Sequence, residues 1–544
     1  SSDLMKLATT GQIHNSDGNI EISNTGAKGI MVEGKVLADK QNIVITNKDS
    51  DLTIGELVSN NDDYVETADG NIAINQQNGN VLNGIIDTSG SLHQNADLGK
   101  NEQSYKTLLT ANGDLTMNVT DGDIGYTDNA RPGFTIDAST RDWTDSVNVN
   151  VSGVVNAQAT NNDKTDNRLI NLRAKDSDLN VQNITTDGNV ILTAADWKQA
   201  DVRPTPDDEA YFIGYSVLNA ANNNDVNISG QNISVIASNN IGEKGKKLTY
   251  LQNTATDSQS SVSLEAENDL YMSGKANSGN ETKIYQMISK HGAIDLDLTS
   301  NATIKEITSN KELIIMQKAQ NLAIMNLGMP AEDTASFTDM LYPHDELVYG
   351  FDSAAPEKSV VPQYVNISVL DAVDTPERSD SNLKIYSMTV RGTQDENYQS
   401  DIVLMADNIY VNSAKAPDSD VSTKNNPNGY KQTQKTYSDA QFGGSGTVYE
   451  AKGINTFGEG KAIRLNISGV DDKVVNEWVN NPQRNDYEKQ YSFDNIPTRF
   501  QNKENNISDY GFKTKNAVIS MNDYADDERG VEFNTLYADN AYIN

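Results

Sequence analysis

Short segments in which apolar and polar residues alternate run through the chain, and Asp178–Leu192 is a representative example. Leu179 and Val181 alternate with polar residues, which is typical of a short strand. The next apolar residue, Ile184, follows after three steps, so we expect the chain to bend there. Residues 185–188 supply turn chemistry, and Val190 and Leu192 begin a second strand. The segment is therefore predicted to fold as strand, corner, turn and strand.

The same pattern recurs along the chain. Ile184–Leu192 aligns without gaps on Ile307–Ile315. The apolar–x–apolar–x–x–apolar core is found at Leu52/Ile54/Leu57, Ala302/Ile304/Ile307, Leu322/Ile324/Leu327, Leu383/Ile385/Met388 and Val531/Phe533/Leu536. The repetition indicates units that stack on their neighbours rather than around a single centre.

The spacing of the strands predicts the fold. Ile294, Ile304, Leu313 and Leu322 are 10, 9 and 9 residues apart, and Val226 to Leu248 fits one coil of 22 residues. Such spacing also fits a β-sandwich, but the alignable repeats favour an all-β fold, an elongated right-handed parallel β-helix with loop excursions. In that fold Asn and Thr at equivalent corners would hydrogen-bond up the stack, which would explain the abundance of Asn.

Interruptions of the pattern define the predicted organisation. Residues 1–327 are predicted to be β-helix rungs, 328–362 a loop excursion, 363–412 further rungs, and 413–544 a less regular region with more strands. A short helix is predicted around Val474–Val479, before Pro482. Further excursions are predicted at 87–107 and 196–216. The residues expected to make contacts in the excursions are Phe337, Tyr342, His344, Tyr349, Phe351, Trp197, Tyr211 and Phe212.

The composition and the net charge limit the classes of partner that we expect. The apolar fraction is 36%, which fits a thin core. There are 43 basic and 77 acidic residues, and the resulting net charge of −34 argues against nucleic acid as a partner. No apolar run approaches the ~20 residues that span a bilayer, so membrane insertion is not expected. No signal peptide is visible and cysteine is absent; we expect a cytosolic chain or a mature or internal piece of an exported protein.

Candidate chemistry is sparse. The four histidines, His14, His93, His291 and His344, have no ligand or triad spacing, and no motif for a nucleophile or a nucleotide is present. We therefore expect no cofactor and no catalytic residues. Acidic clusters such as Asp207/Asp208/Glu209 could bind calcium or be solvated turns, so metal binding stays open. Stacked repeats could also align catalytic carboxylates without a linear motif, which keeps a glycan-active enzyme as an alternative.

Several phrases resemble the filamentous haemagglutinin-type exoproteins, and most closely the leukotoxin-type filamentous adhesins. They are DLTIGEL (51–57), GNVLNG (79–84), DGDIGY (121–126), SVIASNNIGEKGKKLTY (234–250), ISKHGAID (288–295), EITSNKELIIM (306–316), PQYVNISVLDAVDTPE (362–377) and LMADNIYVN (404–412). The resemblance implies a very large surface-exposed or secreted protein, a parallel β-helix, export by a two-partner or autotransporter-like route, and adhesion. It carries over no catalytic residues.

We therefore expect an extracellular or cell-surface bacterial protein with a structural or adhesive role. Its expected partners are a host or bacterial cell surface, or copies of itself in a fibre. The alternatives are the glycan-active enzyme and the scaffold part of a leukotoxin-like toxin.

Overall fold

The protein is known here from a computed structural model. The residues that it describes are 4–7, 11–54, 65–83, 108–125, 146–162, 168–195, 197–199, 212–222, 225–254, 260–328, 348–349, 359–371, 380–391, 401–411, 436–439, 444–447, 453–456, 463–468, 514–519, 521–523 and 531–543. They form two compact units, one of residues 1–242 and 248–253 and one of residues 243–247 and 254–544.

The first unit consists of short strands joined by turns and longer connections. Its strands are β1 (Met5–Leu7), β2 (Gln12–Asn15), β3 (Ile20–Asn24), β4 (Ile30–Val32), β5 (Lys35–Ala38), β6 (Ile43–Lys48), β7 (Leu52–Ile54), β8 (Val65–Thr67), β9 (Ile72–Gln77), β10 (Val81–Asn83), β11 (Leu109–Ala111), β12 (Leu115–Thr120), β13 (Val147–Val151), β14 (Val155–Thr160), β15 (Leu169–Ala174), β16 (Leu179–Thr186), β17 (Asn189–Ala194), β18 (Trp197–Gln199), β19 (Phe212–Gly214), β20 (Val217–Asn219), β21 (Ile228–Gly230), β22 (Asn232–Ala237) and β23 (Leu248–Gln252).

Three parallel sheets organise the first unit. Sheet I has the order β3–β6–β9–β12–β14–β16–β21–β23, with β20 also pairing with β16. Sheet II has the order β2–β5–β8–β11–β13–β15–β17–β22. Sheet III has the order β1–β4–β7–β10. Each turn of the chain thus adds one strand to each sheet that it visits.

The second unit is built in the same way. Its strands are β24 (Val262–Ala266), β25 (Leu270–Ala276), β26 (Thr282–Ser289), β27 (Ile294–Leu298), β28 (Ala302–Ser309), β29 (Glu312–Gln317), β30 (Asn321–Leu327), β31 (Val348–Tyr349), β32 (Ser359–Val360), β33 (Tyr364–Val369), β34 (Asn382–Val390), β35 (Ile402–Met405), β36 (Asn408–Val411), β37 (Thr436–Asp439), β38 (Gly444–Thr447), β39 (Gly453–Thr456), β40 (Ile463–Ser468), β41 (Thr514–Ile519), β42 (Met521–Asp523), β43 (Val531–Leu536) and β44 (Ala538–Ile543).

Two parallel sheets organise this unit. Sheet IV has the order β25–β27–β29–β33–β35–β40–β43. Sheet V has the order β24–β26–β28–β30–β34–β36–β41–β44, and the second half of β34 starts a branch to β39 and β42. Parallel pairing confirms an all-β solenoid and excludes the β-sandwich, whose sheets are antiparallel. The described residues contain no helix, and the helix predicted at 474–479 lies outside them.

Apolar side chains of alternate positions fill the interior. Ile43 and Ile45 of β6 and Ile72 and Ile74 of β9 are fully buried and pair in register. Because a strand points successive side chains to opposite faces, one face of each sheet makes the core and the other faces outward. The thin core predicted from composition is this stack of aliphatic layers.

The predicted corner at Ile184 is a β-bulge. β14 pairs with β16 through Val155↔Val181 and then Asn156↔Asn183, so Gln182 is the extra residue. A bulge moves the following residue to the other face, and Ile184 therefore points inward after a three-residue step. The strand continues through the bulge to Thr186, so the predicted bend interrupts the alternation without ending the strand.

The repeated apolar cores stack directly on one another in sheet V. Ala302, Ile304 and Ile307 of β28 pair with Leu322, Ile324 and Leu327 of β30. The latter pair with Leu383, Ile385 and Met388 of β34. However, Ile184 lies in sheet I and its aligned partner Ile307 in sheet V. The two copies therefore share a local sequence pattern but lie in different sheets.

Asx side chains form ladders at the corners, as predicted. The Asn42 N–H donates to Asn19 Oδ1, the Asn71 N–H to Asn42 Oδ1, and the Asp114 N–H to Asn71 Oδ1, at 2.7–3.1 Å. The Val154 N–H continues the column by donating to Asp114 Oδ1. The partners are 23, 29, 43 and 40 residues apart in sequence. The ladder therefore keeps the register although the rungs differ in length.

A second corner column uses left-handed backbone. Asp49, Asn78 and Asp121 have φ of 60°, 54° and 55°, a region that Asn and Asp tolerate better than other residues with a Cβ. The Asn78 Nδ2 donates to Asp49 Oδ1 at 2.6 Å. This geometry explains why Asn and Asp, and not only Gly, separate the strands.

Candidate functional site

The contact residues predicted in the excursions fall into two groups. Trp197 and Phe212 lie in β18 and β19, which pair antiparallel, and Tyr349 lies in β31, which pairs with β32. Tyr211, Phe337, Tyr342, His344 and Phe351 lie outside the described residues, as does the excursion at 87–107. The structure thus brings the strands of Trp197 and Phe212 together, and it leaves the role of these residues a prediction.

The histidines of the described residues form pairs with single carboxylates. His14 Nε2 lies 2.9 Å from Asp39 Oδ2, and His291 Nε2 lies 2.9 Å from Glu267 Oε1. Each carboxylate is on the rung next to its histidine. Among the described residues no group of three or more His, Cys, Asp or Glu side chains is arranged to hold a metal ion.

The first described rung, made of β1, β2 and β3, exposes one edge. Each of its strands pairs on one side only, with β4, β5 and β6 respectively. Leu4, Met5 and Ile13 are 40%, 42% and 37% exposed, whereas Val36, which pairs with Ile13, is fully buried. The apolar side chains at this rung therefore lack the layer that covers their equivalents further along.

The main-chain hydrogen bonds of this edge run towards the following rung. The Met5 N–H donates to Gly29 O and the Ile20 N–H to Asn42 O, both towards the following rung. Lys6, which pairs with Glu33, and His14 place charges beside this edge.

The candidate functional site is a charged cluster on the outer face of sheet IV. Ile294, Leu296 and Leu298 of β27 point into the core, so Asp295 and Asp297 between them point outward. The Lys247 Nζ lies 2.6 Å from Asp295 Oδ1 and 3.0 Å from Asp297 Oδ1. The Lys318 Nζ lies 3.9 Å from Asp297 Oδ2. The two carboxylates of β27 thus meet the ammonium groups of Lys247, just after the turn at Glu243–Lys246, and of Lys318, just after β29.

A tight turn positions Lys247. The Glu243 and Lys246 main chains exchange two hydrogen bonds of 3.2 and 3.0 Å, and Gly245 has a φ of 79°. Such a left-handed position suits glycine in a two-residue turn. The phrase IGEKGKKL, the most distinctive of those that carry the family resemblance, therefore folds as a turn that directs Lys247 towards β27.

The cluster is closed to solvent. The side chains of Lys247 and Asp297 are 2% and 1% exposed, and that of Asp295 is 15% exposed. Burial lowers the pKa of the Lys247 ammonium, but the charges of Asp295 and Asp297 outweigh this effect and the pKa is raised overall. Lys247 is therefore charged at neutral pH, which makes it an ion-pair partner rather than a general base.

Tyr271 borders the cluster. Its hydroxyl donates to Asp269 Oδ2 at 3.2 Å. Burial, and then the negative charges of Asp269, Asp295 and Glu312, raise the pKa of the Tyr271 phenol above its ordinary value. A phenol held neutral by surrounding carboxylates is a poor base. The cluster as a whole has the features of a structural ion pair, namely paired charges and little exposure.

The sequence did not predict this cluster. Asp295 and Asp297 alternate with aliphatic residues as solvated outward charges do, and Lys247 is 48 residues away from Asp295. The one signal present was the outward pair of acids on a single strand. Their partner became evident only from the register of the rungs.

No family model, no curated protein and no solved structure matches this chain. The resemblance to filamentous haemagglutinin-type exoproteins therefore stays a prediction from the phrases that carry it. No helix among the described residues is sufficiently long and apolar to cross a bilayer.

Proposed function

We propose that this chain is the structural and adhesive solenoid of a bacterial filamentous protein, secreted or displayed on the cell surface. The observation that carries the proposal is the stack of parallel, in-register rungs, held at their corners by ladders of Asn and Asp side chains. A stack of this kind serves as a rigid spacer. The net charge of −34 keeps such a surface soluble and repels polyanions.

Two measurements test the proposal. An antibody raised against the purified chain should label intact cells of the encoding bacterium, or detect the protein in the culture medium. Negative-stain images of the native material should contain fibres or stalks. Labelling that requires cell lysis, together with particles that never extend beyond one chain, would contradict the proposal.

A further inference from the structure

An exposed grid of amide and hydroxyl side chains covers part of sheet I in the first unit. We define the amide–hydroxyl face as the outward residues of β9, β12, β14 and β16, which are Ala73, Asn75, Gln77, Thr116, Asn118, Thr120, Asn156, Gln158, Thr160, Asn180, Gln182, Asn183 and Thr185. All of them are exposed or half-buried, while the residues between them fill the core. This face is therefore available to a partner.

The strand register aligns these side chains in three rows. The first row runs through Ala73, Thr116, Asn156 and Asn183. The second runs through Asn75, Asn118, Gln158 and Thr185, and the third through Gln77, Thr120 and Thr160. The strands of a sheet are about 4.8 Å apart, and side chains on one face repeat about every 6.6 Å along a strand. The face is thus a regular two-dimensional array of polar groups.

The face carries no charge. None of its thirteen residues is Asp, Glu, Lys or Arg, although these types make up 22% of the chain. The outward side of sheet II carries Lys35, Glu66 and Arg173. On sheet I, Glu21 and Lys48 lie on β3 and β6, beside the face and not within it. Solubility alone would not keep these positions neutral.

The hydrogen bonds within the face leave much of its capacity unused. Asn118 Nδ2 donates to Asn75 Oδ1 at 3.1 Å, and Asn156 Nδ2 donates to Gln182 Oε1 at 2.8 Å. The Thr185 hydroxyl donates to Asn183 Oδ1 at 2.7 Å, and Asn180 Nδ2 donates to Gly153 O at 3.3 Å. Each side-chain amide has two donors and an oxygen with two lone pairs, and each hydroxyl is both donor and acceptor. These bonds use only part of that capacity, so donors and acceptors still point outward.

We infer that the amide–hydroxyl face binds a neutral, hydroxyl-rich polysaccharide. Each sugar hydroxyl both donates and accepts hydrogen bonds, so amide and hydroxyl side chains, which also do both, can bond to it in either direction without a charged partner. A polyanion would gain no ion pair on this face and would be repelled by a chain of net charge −34. An apolar partner would bury amides without hydrogen bonds, at a cost. The inference rests on the proposed adhesive function and names the class of its ligand.

Binding of the full chain to immobilised dextran, mannan and galactan tests the inference, with heparin and polygalacturonate as charged controls. We expect at least one neutral polysaccharide to bind more tightly than either polyanion. Because the contact involves no charge, its affinity should stay constant as NaCl is raised, unlike that of an ionic contact. The double variant Asn118→Asp/Gln158→Glu keeps the size of both side chains, and should weaken binding about tenfold or more, or about 1.4 kcal/mol.

Asn150→Asp is the matched control, because Asn150 is a half-buried outward residue of β13 in sheet II. It adds a negative charge outside the face and should leave binding unchanged. Equal binding by the wild type and the double variant, or no preference for any neutral polysaccharide, would overturn the inference. So would a wild-type dimer in sedimentation that the double variant abolishes, since a second copy would then cover the face. Cell-surface labelling reports on the proposed function separately, so the two failures are distinguishable.

Discussion

The Lys247 ammonium lies 3.0 Å from Asp297 Oδ1, and both side chains are almost completely buried. Removing one member of such a pair leaves the other charge buried without compensation, which typically costs about 3–5 kcal/mol. We therefore expect Lys247→Met to lower the free energy of unfolding of the second unit by about that amount, measured by urea unfolding. The control is Lys40→Met, which breaks the exposed pair of Lys40 and Asp17 and should cost no more than about 1 kcal/mol. Similar losses in the two variants would contradict a structural role for the cluster.

The raised pKa of Lys247 predicts how this stabilisation depends on pH. A folded-state pKa above the unfolded value means that the stabilisation is complete below the unfolded pKa and is lost as pH rises through the folded one. The unfolded pKa of lysine is about 10.4. The difference in unfolding free energy between the wild type and Lys247→Met should thus stay constant from about pH 7 to about pH 9 and shrink only at more alkaline pH. A difference that shrinks around neutral pH would indicate that Lys247 is not held in its charged form.

The interior amide ladder of sheet I predicts a contrast between two identical substitutions. Asn24 Nδ2 donates to Asn47 Oδ1, and Asn47 Nδ2 donates to Gln76 Oε1. Asn47 is 1% exposed, so Asn47→Asp would bury a carboxylate against the Gln76 oxygen, and we expect a loss of about 3–5 kcal/mol. The outward Asn118→Asp should change stability by about 0.5 kcal/mol or less. Thermal unfolding of both variants measures the contrast, and equal effects would mean that the inward ladder does not hold the register.

The solenoid could be predicted from the sequence because the spacing of apolar residues within each strand depends only on neighbouring residues. The three-residue step at Ile184 predicted an irregularity, and a bulge at Gln182 produces it. LMADNIYVN (404–412) and LYADNAYIN (536–544) are also alike in sequence. The stack explains this likeness, since Asn408 and Asn540 both pair with Asn516. In each case neighbouring residues decide which side chains turn inward.

The candidate site could not be predicted in the same way because it depends on register between rungs of unequal length. Asn301 and Asn321 are 20 residues apart and Asn321 and Asn382 are 61 apart, yet each pair lies on adjacent rungs. No spacing rule could therefore have placed Lys247 beside Asp297. In the sequence, Asp295 and Asp297 have the pattern of solvated charges, and only the stacked structure shows that they are covered.

The corner ladders also imply that the length of each stack does not depend on the length of the connections between its strands. A rung as short as 20 residues and one of 61 residues both advance their stack by one strand, which is about 4.8 Å. Length along the stack is set by the number of rungs alone, and the residues beyond the shortest rung add no length. Duplicating one short rung should extend the reach of a stack by a fixed step, and inserting a foreign peptide between two rungs should display it at a chosen height without changing that reach.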